Sequence, residues 1–215
     1  MAELQQTIPI KIIMVGAMNV GKTSLVTRYI TGKHPGQTTT TKNASYVSKP
    51  KKLNGLNFEI KLWDTAGQEK YKSLTKLFTK DAKIAILDYA IDSEESFKEF
   101  DDWLNLVKSI NDENLIIGIA ANKSDLANEN TISEERGREY AKKIDAEWKS
   151  TSALIDNGGI EEFIDLLFKK YYEKNFNLNT TTSLSLTISM ENSRVEKRLC
   201  CIGGGNSHTL DIKKK

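Results

Sequence analysis

Ile10-Lys11-Ile12-Ile13-Met14-Val15 runs straight into Gly16-Ala17-Met18-Asn19-Val20-Gly21-Lys22-Thr23, and this junction decides the fold. The first six residues read as a buried strand. The next eight fit G-x-x-x-x-G-K-[ST], a loop that wraps phosphate groups. Its two glycines allow a tight turn without a Cβ in the way, so backbone N–H groups can point inward at phosphate oxygens. Lys22 brings positive charge to the β- and γ-phosphates, and Thr23 offers a hydroxyl to Mg²⁺. Ser24 to Tyr29 continue as a helix whose N-terminal dipole faces the same anion. An ordinary glycine-bearing turn would match the string too. The strand before it and the helix after it favour the phosphate loop.

Outward from this junction, strand-like and helix-like segments alternate from residue 8 to about 174. Such alternation marks a parallel sheet covered by helices on both faces. Strands are expected at 10–15, 57–63, 83–89, 115–121 and 146–150, and helices at 22–31, 69–80, 96–110, 133–144 and 159–174. Tyr46 to Leu53 is followed by Asn54-Gly55, a tight-turn dipeptide, and predicts one antiparallel edge strand. The fold class expected is therefore α/β: a P-loop NTPase three-layer sandwich with a mostly parallel six-stranded sheet. In the last helix Ile160, Phe163, Ile164, Leu167, Phe168 and Tyr171 form one apolar stripe. Gly158-Gly159 makes its N-terminus look loose.

The chain has 215 residues and a net charge of +2, so no global basic field suggests nucleic acid. No apolar run is long enough to span a membrane. The N-terminus lacks the charged and apolar regions of a secretory signal. Cys200 and Cys201 are the only cysteines and are adjacent, which excludes a disulfide framework and suits a reducing cytosol. After Asn175, threonine and serine dominate, which reads as a flexible linker; Leu184, Leu186 and Ile188 could instead form a short strand. The expected division is a folded domain over 1–174 and a tail over 175–215.

Three further motifs stand behind successive strands. Asp64-Thr65-Ala66-Gly67-Gln68-Glu69 follows Phe58 to Trp63. A carboxylate at Asp64 can hold Mg²⁺ through water, because Mg²⁺ dehydrates reluctantly. Gly67 permits a backbone N–H close to a γ-phosphate, and Gln68 could orient an attacking water. Asn122-Lys123-Ser124-Asp125 follows the apolar run Leu115 to Ala121. The Asp125 carboxylate can accept from both N1–H and the exocyclic amine of guanine, a paired donor edge that adenine lacks. The Lys123 stem can lie over the base, and Asn122 can tie neighbouring loops together. Thr151-Ser152-Ala153 places the Ala153 N–H where guanine O6 could accept from it. Each string alone is a common polar turn. Four in order, at the carboxyl ends of successive strands, are not coincidental.

Together these motifs resemble the small GTPases of the Ras superfamily, over residues 8 to about 174. The run Trp63 to Tyr71 is similar to that of the Rab branch. Tyr46, Trp63 and Phe78 match in spacing the aromatic triad that Rab proteins present to effectors, although plain packing is an equal reading. Asp92 to Phe97 looks like the family's helix entry. The resemblance implies GTP/GDP and Mg²⁺ as ligands. It implies nucleotide contacts along Gly16, Ala17, Met18, Asn19, Val20, Gly21, Lys22, Thr23 and Ser24. It also implies a switch threonine about eighteen residues after Thr23, which is Thr41, with Thr40 competing. Catalysis would rest on Gln68, Lys22 and Thr41, and the metal on Thr23, Thr41 and Asp64. An exchange factor, a GTPase-activating protein and effectors would engage switch regions 34–46 and 65–80. The activity implied is GTP hydrolysis in vesicle and protein transport, slow without an activator.

Several residues depart from the family pattern. Met18 replaces a small residue beside the γ-phosphate and could crowd Gln68. His34 stands where an aromatic usually covers the guanine edge, and Leu154 where a lysine is usual. They keep a second reading open, a slowly hydrolysing, mainly GTP-loaded scaffold for effectors. A nucleotide kinase is disfavoured by the guanine-reading motif and the lack of an arginine-rich lid. Arg198-Leu199-Cys200-Cys201 looks like a doubly prenylated Rab ending, yet fourteen residues follow. The cysteines could be prenylated internally, palmitoylated or free. With six Lys/Arg from Arg194 onward, the tail suits an anionic membrane. The expected place is the cytoplasm, on the cytosolic face of an endomembrane.

Overall fold

A computed structural model describes residues 7–36, 41, 44–65, 78–111, 114–128 and 131–176. Nearly all of the expected helix over 69–80 lies outside them, as do Gly67, Gln68, Thr40, Cys200 and Cys201. The chain divides into two units, Met1–Lys174 and Asn175–Lys215.

Six strands form one sheet: β1 (Thr7–Val15), β2 (Ser45–Leu53), β3 (Leu56–Asp64), β4 (Ile84–Ala90), β5 (Ile116–Asn122) and β6 (Glu147–Ser150). Their order is β2-β3-β1-β4-β5-β6. Only β2 runs antiparallel, paired with β3 through the Asn54-Gly55 turn, in which both residues have positive φ. β1 begins three residues earlier than expected, because Thr7 to Pro9 continue the ladder against Asn57 to Glu59.

The helices named among the described residues are α1 (Lys22–Thr31), α2 (Glu94–Lys98), α3 (Phe100–Lys108), α4 (Glu134–Lys143) and α5 (Ile160–Phe176), with a 3-10 turn at Ser124–Leu126. The single helix expected over 96–110 is two. It starts early because Ser93 caps it, the Ser93 hydroxyl accepting from the Ser96 N–H. It is interrupted only at Glu99, whose N–H still reaches Glu95 O while the Trp103 N–H reaches Glu99 O.

Strand alternation sorts the core. Ile13, Val15, Leu87, Tyr89, Ile119 and Ala121 pack against Phe97, Phe100, Trp103 and Val107 on one face. On the other face, Phe58 meets Phe168 and Tyr172 of α5 edge-on. Gly118 makes room there for Leu167 and Phe163. The parallel strands all end at the same edge, so the loops after β1, β3, β5 and β6 converge there.

Candidate functional site

The loop after β1 is built by close backbone approach. Gly16 has φ 153°, and a Cβ there would lie 2.1 Å from the Asp88 carbonyl oxygen. Gly21 has φ 105°, and a Cβ there would lie 2.4 Å from Asn122 Nδ2. The two glycines are thus required by packing against β4 and β5 as well as by the turn. Asn19 takes φ 62°, a left-handed conformation that Asn tolerates. Gly21 caps α1 and no side chain does, which leaves the helix's first N–H groups facing the cleft. Lys22 is buried and donates from Nζ to Gly16 O (2.9 Å) and Ala17 O (2.7 Å).

Beside this loop three oxygens gather. The Thr23 hydroxyl donates to Asp64 Oδ2 at 2.6 Å and lies 2.6 Å from the Thr41 hydroxyl. The other carboxylate oxygen, Asp64 Oδ1, is buried without a partner. Burial pushes the Asp64 carboxyl above its ordinary range, against the Thr23 hydrogen bond and the Lys22 charge. A cation beside Asp64 would relieve that imbalance. Among the described residues no group of three or more His, Cys, Asp or Glu could hold a metal. One carboxylate with two hydroxyls nevertheless fits Mg²⁺, which keeps several waters and shares phosphate oxygens.

The loops after β5 and β6 form the far wall. Asn122 Nδ2 donates to Val20 O at 2.8 Å, tying the two loops together. Lys123 takes φ 60° and its ammonium reaches Asp92 at 3.2 Å. Ser152 Oγ donates to Asp125 Oδ1 at 2.5 Å and accepts from the Leu154 and Ile155 N–H groups. The acid is thereby aimed by the neighbouring loop, with Oδ2 left over.

These pieces enclose a cleft of about 350 Å³. Met18, Asn19, Gly21, Lys22, Thr23, Ser24, Thr41, Asn122, Lys123, Asp125 and Ala153 line it. Gly16, Ala17, Val20, Asp64 and Ser152 are buried and support that lining. His34 and Leu154 also reach it, both exposed. Threonine hydroxyls, lysine ammonium groups and the Asp125 carboxylate thus share one cleft. That is the chemistry of a nucleotide with its phosphates.

Residues 11–173 match the Ras family. The chain belongs to it. Relatives point to the Rab branch. Ras-related protein Rab-21 from Geodia cydonium is 36% identical over 171 residues, covering 80% of this chain and 74% of the relative. Ras-related protein Rab-30 from Homo sapiens is 30% identical over 191 residues, covering 89% and 94%. This Ras-family chain is therefore a Rab-like small GTPase of intracellular transport, which binds guanine nucleotide, hydrolyses GTP and works with regulators and effectors.

Two features of this GTPase bear on those partners and on the base. Trp63 stacks between Tyr46 (ring centroids 4.9 Å) and Phe78 (6.0 Å). Tyr46 is half exposed, so the stack presents an aromatic surface on β2 and β3. The second feature lies on α1. Arg28 of α1 is buried and donates to Ala153 O (2.9 Å), Leu154 O (2.8 Å) and Gly32 O (2.6 Å), and pairs with Asp156 (2.9 Å). It ties the loop after β6 to the end of α1. One signal was available: Arg28 falls three residues after Leu25, on the buried face of the helix. Among the described residues no helix is long and apolar enough to cross a membrane.

Proposed function

We propose that the cleft holds GTP or GDP with Mg²⁺ in the order its chemistry suggests. Lys22, the loop N–H groups and Ser24 take the phosphates. Thr23, Thr41 and Asp64 hold Mg²⁺, which when bound supplies positive charge to the β- and γ-phosphates. Asp125 reads the guanine edge, with Lys123 over the ring and Ala153 N–H toward O6. The observation that carries this reading is the Thr23–Thr41–Asp64 cluster beside the buried, unpartnered Asp64 Oδ1. Two hydroxyls and a carboxylate at this spacing suit a hard cation.

Hydrolysis then asks for positioning and charge, not covalent catalysis. Lys22 stabilises charge on the transferring phosphoryl oxygens. Gln68 orients the attacking water. Thr41 and the Gly67 N–H are held while the γ-phosphate is present and released after it leaves, so segments 34–46 and 65–80 report the nucleotide to an exchange factor, an activating protein and effectors. Residues 1–174 form the GTPase domain. Residues 175–215 are a tail that attaches the domain to the cytosolic face of an endomembrane through lipid on Cys200 and Cys201.

Non-denaturing mass spectrometry of protein from its own cells tests these assignments together. The expected protein carries guanine nucleotide, Mg²⁺ and lipid mass on the tail. Its Asp125→Asn variant exchanges guanine for xanthine nucleotide. Unchanged guanine binding in that variant would remove the base-reading role from Asp125, and a bare tail in the membrane fraction would remove the lipid.

A further inference from the structure

Arg28 is a buried cation that the proposed mechanism does not use. The carboxylate it pairs with, Asp156, is 93% exposed, so that ion pair contributes little. Backbone carbonyls hold the guanidinium instead. Nε donates to Ala153 O at 2.9 Å and Nη2 to Leu154 O at 2.8 Å. These carbonyls are consecutive, and the N–H groups of the same two peptide units belong to Leu154 and Ile155. Both N–H groups donate to Ser152 Oγ, at 3.1 and 3.2 Å. Each peptide unit is thus gripped at both ends, by Arg28 on one side and Ser152 on the other. A serine hydroxyl has two lone pairs and one proton. The two N–H groups occupy the lone pairs, which turns the proton to Asp125 Oδ1 at 2.5 Å. The rest of the guanidinium is braced on the end of α1. Nη1 donates to Gly32 O at 2.6 Å, and the Gly32 N–H donates to Arg28 O at 2.8 Å.

We propose that Arg28 is a positioning residue for base selectivity, which aims the Asp125 carboxylate at guanine through two peptide units and the Ser152 hydroxyl. The inference rests on Asp125 being the residue that reads the guanine edge. That carboxylate discriminates by meeting the N1–H and the exocyclic amine together, so a small rotation weakens the second bond. Ser152 prevents the rotation only while its own hydroxyl is held, and the peptide units that hold it are fixed by Arg28. The chemistry asks for arginine and not for any cation. A planar guanidinium presents its donors as a rigid fork that spans neighbouring carbonyls, whereas a lysine ammonium is a point charge on a flexible stem. With the fork lost, the loop after β6 is free to shift, and Asp125 turns with it.

The test is the ratio of affinities for GDP and for inosine diphosphate, which lacks only the exocyclic amine, in the full chain with Mg²⁺. Wild type is compared with Arg28→Lys and Arg28→Met. Lysine keeps the charge and loses the fork. Methionine keeps an apolar stem and buries no charge, so it answers if the lysine harms folding. Both variants are expected to narrow the wild-type preference for GDP by about tenfold, the worth of one hydrogen bond. Ser152→Ala is expected to narrow it as well. Combining Ser152→Ala with Arg28→Lys should narrow it no further, because both act through one chain of bonds. Thermal melting runs alongside. An arginine that only supports the fold would lower melting and weaken both nucleotides alike, leaving the ratio unchanged. That result, or additive losses in the double variant, overturns the inference while leaving the nucleotide site intact. A wild type that binds both nucleotides equally would overturn the base reading by Asp125, and this inference with it.

Discussion

Met18 puts a flexible thioether side chain, 44% exposed, into the cleft that Lys22 and Thr41 also line. In the proposed mechanism an attacking water and Gln68 need room near Met18. Met18→Gly is expected to raise single-turnover GTP hydrolysis, by up to about tenfold for ~1.4 kcal/mol of barrier. A turnover equal to wild type would show that the side chain swings clear, and would end the case for a slow, mainly GTP-loaded form. Met18 was legible in the sequence because it sits inside a motif whose neighbours have fixed roles. So were the positions of Asn122 and Asp125, which line the same cleft. Arg28 and Asp88 were not. Arg28 finds its acceptor on Ala153, 125 residues away in sequence. Asp88 is one charge in an apolar strand, and only the fold shows that its carbonyl lies against Gly16 of the phosphate loop. Such partnerships are made by the tertiary fold and leave no local trace.

At the scale of elements, alternation and turn chemistry located every strand within a few residues, and the Asn54-Gly55 turn gave the antiparallel edge. The boundaries that slipped were decided by caps and ladders, such as Ser93 starting α2 early. The entry to α5 shows what composition hides. Gly158-Gly159 reads as a loose approach, yet Gly158 is held at both ends. Its carbonyl accepts from the Ser152 N–H at 2.9 Å, and its own N–H donates to Ile155 O at 3.2 Å. A Cβ on Gly158 would lie 1.9 Å from the Ser152 carbonyl oxygen, a backbone atom with no rotamer to change. The loop that aims Asp125 is therefore wedged against the start of α5. Gly158→Ala is expected to destabilise the fold by about 1–3 kcal/mol, as overpacking does. It should also hasten nucleotide release, because Ser152 must move. Melting and GDP dissociation measured on one sample read both effects. Lowered stability with unchanged release would mean that the strain is absorbed in α5.

The whole molecule carries the electrostatic cost of burying two carboxyl groups. Asp64 and Asp88 are both buried, and burial raises both carboxyl groups above their ordinary value of 3.8. The folded chain therefore holds more protons than the unfolded one above that pH, and its stability falls as pH rises. Two exposed acids act oppositely. Glu94 beside Arg136 and Glu162 beside Lys149 are lowered from 4.5, so their contribution is lost only below that value. Burial lowers Lys22 from 10.5, and that acts with the reverse sign. Above pH 3.8 the two buried aspartates pull stability down as pH rises. Each unit by which either is raised removes up to about 1.4 kcal/mol across its titration. For a chain of this size ~1 kcal/mol is about 2–4 °C of melting temperature. The nucleotide-free protein is accordingly expected to melt lower at pH 8 than at pH 5. With guanine nucleotide and Mg²⁺ bound, melting should rise at every pH by mass action. The pH dependence should shrink as well, because a cation beside Asp64 favours its carboxylate. Calorimetry of the nucleotide-free and loaded protein across that range reads both slopes. A flat profile without nucleotide would mean that water or backbone donors already satisfy the two carboxylates, and the charge imbalance argued for the cleft would fall with it.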